Sequence, residues 1–255
     1  MEYRFAKVAR EDHVTIVTID RPDQRNALHS DAFFELAAIF DDYEADPEQW
    51  VAIITGAGDK AFCAGADLKG GIREMPPSGF AGLCTRFSLT KPVIAAVNGF
   101  ALGGGFETAL ACDIIVAADI ASFGLTEPRV GLAALAGGPQ RLVREIGYKR
   151  AMGILMTGRR VPAAEGLALG FVNEVVPAAD LMAAARRWAG EIAQCSPMSI
   201  RATKQLAMSA AGQGLEPAIR DMFTLPAVKA MLASEDMREG PRAFAEKRAP
   251  AWQNR

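Results

Sequence analysis

Histidine is almost missing from this chain of 255 residues: only His13 and His29 occur. A three-histidine metal site is therefore impossible, and no Ser-His pattern offers itself for a nucleophilic triad. Cysteine is nearly as scarce. Cys63, Cys84, Cys112 and Cys195 are irregularly spaced and form no CxxC pair, which suits reduced thiols in a cytosolic protein better than a disulfide or zinc framework. An excess of one charge is also lacking: 28 Lys plus Arg stand against 30 Asp plus Glu, a net charge of −2. That balance argues against a nucleic-acid binder that relies on neutralising phosphates. No apolar run reaches the ~18 residues of a membrane-spanning helix. The opening MEYRFAKVAR has no apolar core of the kind a secretory signal needs. The expectation is a soluble cytoplasmic enzyme or scaffold, with no membrane and no nucleic acid among its partners.

What is present is core-forming material. Half the residues are apolar and 23% are charged, as in a globular chain able to bury a large core. Val14, Ile16 and Ile19 lie in a β-rich run that ends at Asp20-Arg21-Pro22. Ser30 and Asp31 predict a helix start, followed by Phe33, Phe34, Leu36, Ala37 and Phe40 at helical spacing. Strands are predicted at 51–55, 93–97, 114–117 and 172–176, with helical patterns between them, so the class is α/β with parallel strands. After Pro177 the chain reads as helix after helix, broken at Cys195-Ser196-Pro197, Gly212–Gly214 and Ser234. The division expected is an α/β core over 1–190 and a helical C-terminal region over 191–255. Met198, Met208, Met222, Met231 and Met237 in that region read as core or subunit interface.

Two motif look-alikes lack their context. Gly56-Ala-Gly58-Asp-Lys-Ala61 has the glycine spacing of a dinucleotide fingerprint, but AFCAGADLKGG after it carries no helical period. Ser88-Leu-Thr-Lys91 matches SxxK, yet Pro92 biases Lys91 out of a helix, where that pair must sit. Three other segments carry more. In Ala61–Lys69 the small residues after a strand either let a ligand approach backbone N–H groups or simply make a tight turn. In Asn98–Cys112 a strand, three glycines and a helical pattern leave N–H groups free at a helix start, a place suited to an anionic oxygen. Glu107 falls in that first turn, as a helix-start residue or as a catalyst. Glu127, before Pro128, is a loop carboxylate, functional or solvated.

Taken together, the order AGADLK, NGFALGGGFE, FGLTEP, MTGRR and GFVNEVV resembles the enoyl-CoA hydratase/isomerase (crotonase) superfamily, over nearly the whole chain. The resemblance implies a spiral of ββα units with a helical C-terminal trimerisation region, as a homotrimer or a hexamer built from two trimers. It implies an oxyanion hole at the Ala66 and Gly104 N–H groups and catalytic carboxylates at Glu107 and Glu127. Coenzyme A contacts map onto Arg25, Ala27, Ala64, Gly65, Ala66, Asp67 and Leu68. Phe244 and Lys247 match positions that reach a coenzyme A across a subunit boundary; read from sequence alone they are a packed aromatic and a solvated lysine. No metal or redox cofactor is implied, coenzyme A being part of the substrate.

One departure concerns the acyl pocket. Straight-chain hydratases of the superfamily usually carry IPGAGG after the second glutamate, where this chain has Ala133-Ala-Leu-Ala-Gly-Gly138. Leu135 replaces a glycine near the acyl group, so a reshaped pocket is expected. The GLAALAGG form, with MTGRR, is also similar to carnitinyl-CoA dehydratases. The activity expected is an enoyl-CoA hydratase, a hydro-lyase acting reversibly on an acyl-CoA. The alternatives are carnitinyl-CoA dehydration, Δ3,Δ2-enoyl-CoA isomerisation, or a non-catalytic RNA- or partner-binding role.

Overall fold

Strands made of Val, Ile and Ala without polar interruption need burial on both faces, and here they lie at the centre of a six-stranded sheet. The structure, a computed structural model, describes residues 3–67 and 70–255. In chain order the first strands are β1 (Ala6–Glu11), β2 (Val14–Ile19), β3 (Val51–Gly56), β4 (Ala61–Cys63) and β5 (Val93–Val97). They are followed by β6 (Phe100–Leu102), β7 (Ile114–Ala118), β8 (Ser122–Gly124), β9 (Val161–Pro162) and β10 (Glu174–Val176). The large sheet has the order β1-β2-β3-β5-β7-β10. Only the β1/β2 hairpin is antiparallel; the other neighbours run parallel. Ile94 pairs with Ile53 on one side and Ile114 on the other, which places apolar side chains in continuous rows.

The small sheet, β4-β6-β8-β9, is parallel except for its last pair. Three successive strands of the large sheet pass through a short turn into a strand of the small one, as β3–β4, β5–β6 and β7–β8. This is the spiral of ββα units that the resemblance implies.

The helices are α1 (Ser30–Ala45), α2 (Gly104–Ala111), α3 (Gly138–Ile146), α4 (Tyr148–Leu155) and α5 (Ala163–Leu169). Then come α6 (Leu181–Ala193), α7 (Pro197–Gly212), α8 (Leu215–Asp221), α9 (Pro226–Ala233) and α10 (Glu235–Ala245). Helix α1 begins where Ser30 and Asp31 predict. Its cap is the preceding His29, whose Nδ1 accepts from the Ala32 N–H at 3.3 Å. Phe33, Leu36, Phe40 and Tyr43 bury one face of α1. Helix α6 lies on β3, β5 and β7 and contains both residues 190 and 191, while α7 packs on α8 and α9, and α9 on α10. Lys91 lies outside any helix, as Pro92 requires, and is buried with its Nζ donating to the Tyr43 and Asp46 carbonyls at 2.6 Å.

Two strand expectations need correction. The strand predicted over 172–176 starts only at Glu174, because the N–H groups of Phe171 and Val172 both turn back to the Gly166 carbonyl at the end of α5. The small sheet is absent from the sequence reading: strands of two or three residues are too short for a period of two to show. Among the described residues, no helix is long and apolar enough to cross a membrane.

Candidate active site

The first half of the site is two backbone segments laid side by side. The Ala64 N–H donates to the Arg25 carbonyl at 3.0 Å, the Leu28 N–H to the Gly65 carbonyl at 2.9 Å, and the Asp67 N–H to the Leu28 carbonyl at 2.8 Å. This is a one-residue parallel bridge between Leu28 and Ala66. Because Leu28 bonds to the residues on either side of Ala66, the N–H of Ala66 itself points away from that partner. The segment is fastened by residues that sequence reasoning missed. Arg21 pairs with Asp67 at 3.0 Å and also donates to the Ala27 carbonyl. Buried Asn26 accepts from the Arg21 N–H at 3.0 Å and donates to the Ala57 and Ala61 carbonyls at 3.0 and 2.7 Å. A usable signal was the Arg25-Asn26 pair after a proline turn: both adopt positive φ, which asparagine tolerates well.

The second half is the start of α2. The glycine triplet is explained by three separate constraints. Gly103 has φ +53° and ψ −127° and abuts Glu127, a Cβ on Gly104 would strike the Phe80 ring at 2.5 Å, and one on Gly105 would lie 2.0 Å from the Cys63 carbonyl oxygen. Gly104 opens the helix, so its N–H has no carbonyl one turn back. Gly65, at φ +94°, presses its bare Cα against this point: a Cβ there would be 2.8 Å from the Leu102 carbonyl oxygen and 3.4 Å from the Gly104 nitrogen. Among the described residues, neither the Ala66 nor the Gly104 N–H finds an acceptor. Phe106 anchors α2 from beneath, its ring centroid 5.2 Å from those of Phe123 and Phe171.

Two glutamates stand beside these N–H groups in contrasting surroundings. Glu107 is buried on the first turn of α2, and its Oε1 accepts from the Ala136 and Gly138 N–H groups, both at 2.8 Å. Burial raises its pKa above the usual carboxylate range. The Gly138 and Ala136 N–H groups and the Arg141 charge pull it back, and the charge of Glu127 pushes it up. Glu127 opens a 3-10 turn, Glu127–Val130, with Pro128 in its first turn. The loop reading therefore sharpens to a single helical turn. Arg129 ties that turn to the MTGRR segment by donating to the Thr157 carbonyl at 3.1 Å. The Glu127 Oε2 is buried with no hydrogen-bond partner among the described residues, and burial raises the Glu127 pKa as well. Beside α2 lies Cys84, its Sγ 3.8 Å from Thr108 Oγ1, whose buried thiol is pushed up to about 12, first by burial and then by Glu107.

The fold thus gathers Arg25, Ala27, Ala64, Gly65, Ala66, Asp67, Gly104, Glu107 and Glu127, which come from distant parts of the chain. Leu135 adjoins the loop that holds Glu107 and is 89% exposed in the single chain. Leu68 lies outside the described residues. Phe244 and Lys247 are not brought to this group within one chain. They sit at the exposed end of α10, which packs on α9, and the Lys247 N–H donates to the Phe244 carbonyl at 3.2 Å. Among the described residues, no three His, Cys, Asp or Glu side chains converge as metal ligands would.

A spiral of ββα units of this kind is shared with known proteins. Residues 9–255 match the enoyl-CoA hydratase/isomerase family, and the chain belongs to it. The carnitinyl-CoA dehydratase of Escherichia coli strain K12 is 44% identical, over 97% of this chain and 98% of that protein. An enoyl-CoA hydratase from Mycobacterium marinum superposes with a TM-score of 0.93 at 37% identity, covering 98% of this chain and 99% of the other. A carnitinyl-CoA hydratase from Mycobacterium avium gives a TM-score of 0.78 at 42% identity, with both chains fully covered.

Proposed function

We propose that this protein is an enoyl-CoA hydratase, adding water reversibly across the 2,3 double bond of a 2-enoyl-CoA thioester. The carrying observation is the contrast between the two glutamates beside a pair of free N–H groups. Glu107 Oε1 receives two backbone hydrogen bonds, which favour its carboxylate; Glu127 Oε2 is buried without a partner among the described residues, which favours its protonated form.

In this reading the thioester oxygen accepts from the Ala66 and Gly104 N–H groups and gains enolate character. Each such donor is worth about 3 kcal/mol at the transition state. Glu107 takes a proton from the water that attacks Cβ, and Glu127 delivers its proton to Cα. One O–C and one C–H bond form, the π bond is lost, and the proton gained by Glu107 returns to Glu127 through solvent. Elimination from a 3-hydroxyacyl-CoA reverses each step.

Arg25, Ala27, Ala64 and Asp67 are assigned to the coenzyme A side and Leu135 to the acyl side. Because Phe244 and Lys247 stand away from the site within one chain, their contacts are assigned to a neighbouring copy in a trimer or a pair of trimers. The proposed steps draw on no metal or redox cofactor. A cytoplasmic location goes with this reading, supported by four cysteines that form no disulfide.

Carnitinyl-CoA dehydration is the second reading, favoured by the 44% identity with proteins of that name. It uses the same two glutamates on a substrate with a trimethylammonium tail. Loss of the conjugated enoyl-thioester absorbance over a substrate panel tests both. Turnover of crotonyl-CoA above crotonobetainyl-CoA supports the first, the reverse order supports the second, and turnover of neither overturns both.

A further inference from the structure

Arg141 on α3 is half-buried and takes part in no salt bridge among the described residues. Its Nη2 donates to the Cys84 carbonyl at 2.7 Å and its Nη1 to the Ala136 carbonyl at 3.4 Å. Both acceptors are neutral, so the guanidinium spends its hydrogen bonds on backbone rather than on a carboxylate. Both also flank Glu107. The N–H of Ala136 holds Glu107 Oε1, so the carbonyl of that residue goes to Arg141 and its N–H to the glutamate. Cys84 touches Thr108, the next residue of α2, with its Sγ 3.8 Å from Oγ1.

Gly137 lies between the two donors to Glu107, and a Cβ there would sit 2.4 Å from Arg141 Nη1. The loop is wrapped directly over the guanidinium, so a side chain at Gly137, already strained at φ +94°, would displace the Arg141 head. A planar fork holds two donors on separate nitrogens at a fixed spacing and angle, whereas an ammonium carries its donors on one atom and imposes no such geometry.

From this geometry we infer that Arg141 is a positioning residue for Glu107: it clamps the 136–138 loop to the Cys84 segment and so aims the Ala136 and Gly138 N–H groups at the carboxylate. The charged and titratable groups facing Glu107 are Glu127 from the 3-10 turn, Arg141 from α3 and the Cys84 thiol from the segment before β5. The Arg141 charge lowers the Glu107 pKa. Its removal therefore raises that pKa, and activity that needs the Glu107 carboxylate fails at a higher pH.

The kinetic arm of the test rests on the hydratase reading; the spectroscopic arm does not. In the spectroscopic arm, the Glu107 carboxyl is titrated by infrared difference against Glu107→Gln, in wild type, R141M and R141K. The expected result is a midpoint raised in R141M and close to wild type in R141K, which keeps the charge. In the kinetic arm, R141M lowers kcat about 10- to 100-fold, as expected for a misplaced catalytic group. Its KM changes less than about threefold, and the acid limb of its pH profile moves up. R141K keeps the wild-type limb but recovers only part of kcat, because donors on a single atom do not reproduce the fixed spacing of the fork.

A folded R141M with the wild-type midpoint overturns the inference, as does a folded R141M with wild-type kcat and limb. If R141M does not fold, R141K decides: wild-type kcat there overturns the inference, and a partial loss with an unmoved limb supports it. If wild type itself hydrates no enoyl thioester, the hydratase reading falls and the infrared titration alone judges Arg141.

Discussion

The Oε1 of Glu107 lies 2.8 Å from the Gly138 nitrogen, so a carboxylate on the first turn of α2 is held by the first N–H of α3. The bond joins helices made 31 residues apart and orients a buried charge without another side chain. It leaves Oε2 with no hydrogen-bond partner among the described residues, the oxygen that the proposed hydration would use to hold a water. Among the described residues, no other residue supports Glu127 in this way; its carboxylate meets only its own backbone N–H. This difference between the two glutamates underlies the first two expectations below.

Replacing either glutamate by glutamine should reduce hydration of crotonyl-CoA by about 10²- to 10⁴-fold. The two variants should part company in exchange of the Cα proton. On the proposed roles, Glu127→Gln removes the proton donor to Cα, whereas Glu107→Gln leaves that donor in place. Deuterium incorporation at Cα of a saturated acyl-CoA, followed by NMR, checks this. Equal exchange in both variants would reverse or merge the two roles.

Stability should depend on pH through Glu127. Its folded pKa is raised by burial, so between the unfolded value near 4.5 and the folded value the unfolded chain binds fewer protons. Stability then falls as pH rises through that window. Relative to Glu127→Gln, wild type should therefore lose thermal stability on going from pH 4.5 to pH 8. Calorimetric Tm values for both proteins across that range supply the difference, and a constant gap would contradict the account.

Gly103→Ala should damage both stability and turnover. At φ +53° and ψ −127° an L side chain is strained by about 1–3 kcal/mol, and the new Cβ would sit 3.0 Å from Glu127 Oε1. A lower denaturation midpoint with a reduced kcat is expected. A fall in midpoint with kcat intact would mean that Glu127 moves aside without consequence.

The C-terminal segment should be the first part to loosen in acid. Glu239 accepts from Arg242, Arg248 and the Ala251 N–H, and these partners, Arg248 first, hold its pKa well below the carboxylate range. A depressed pKa contributes stability above the unfolded value that is lost as pH falls below it. Trp252, whose Nε1 donates to the Gln194 carbonyl at 2.8 Å, is next to Ala251. In a Trp50→Phe, Trp188→Phe background, its fluorescence should change below about pH 4.5, ahead of the far-ultraviolet circular dichroism. Glu239→Gln, which has no carboxylate to protonate, should show the loosened fluorescence already at neutral pH and no further change over that range.

Much of the frame was legible from local pattern. The runs at 93–97 and 114–117 announced buried parallel strands because nothing in them tolerates water, and the breaks at Ser196-Pro197 and Ser234 marked helix starts that the structure keeps. The short strands β4, β6 and β8 were not legible, since three residues carry no period and are strands only because a neighbour pairs with them. The glycine triplet showed a helix start. That Gly104 must be bare because Phe80 lies on it is a fact of packing, invisible in the order of residues.

By itself, then, the sequence determined the α/β class, the placing of glycines and glutamates at turns and helix starts, and the absence of a histidine-rich metal site. Each of these follows from residue type and near-neighbour spacing, which act within a few residues along the chain. Tertiary structure alone decided that the Ala66 and Gly104 N–H groups lie on either side of Gly65, that Glu107 is gripped by α3, and that Arg141 lies under the gripping loop. It also left one oxygen of Glu127 without a partner among the described residues. These depend on contacts between segments tens of residues apart, set when the two sheets pack and backbone groups that water would have satisfied must find partners or go without.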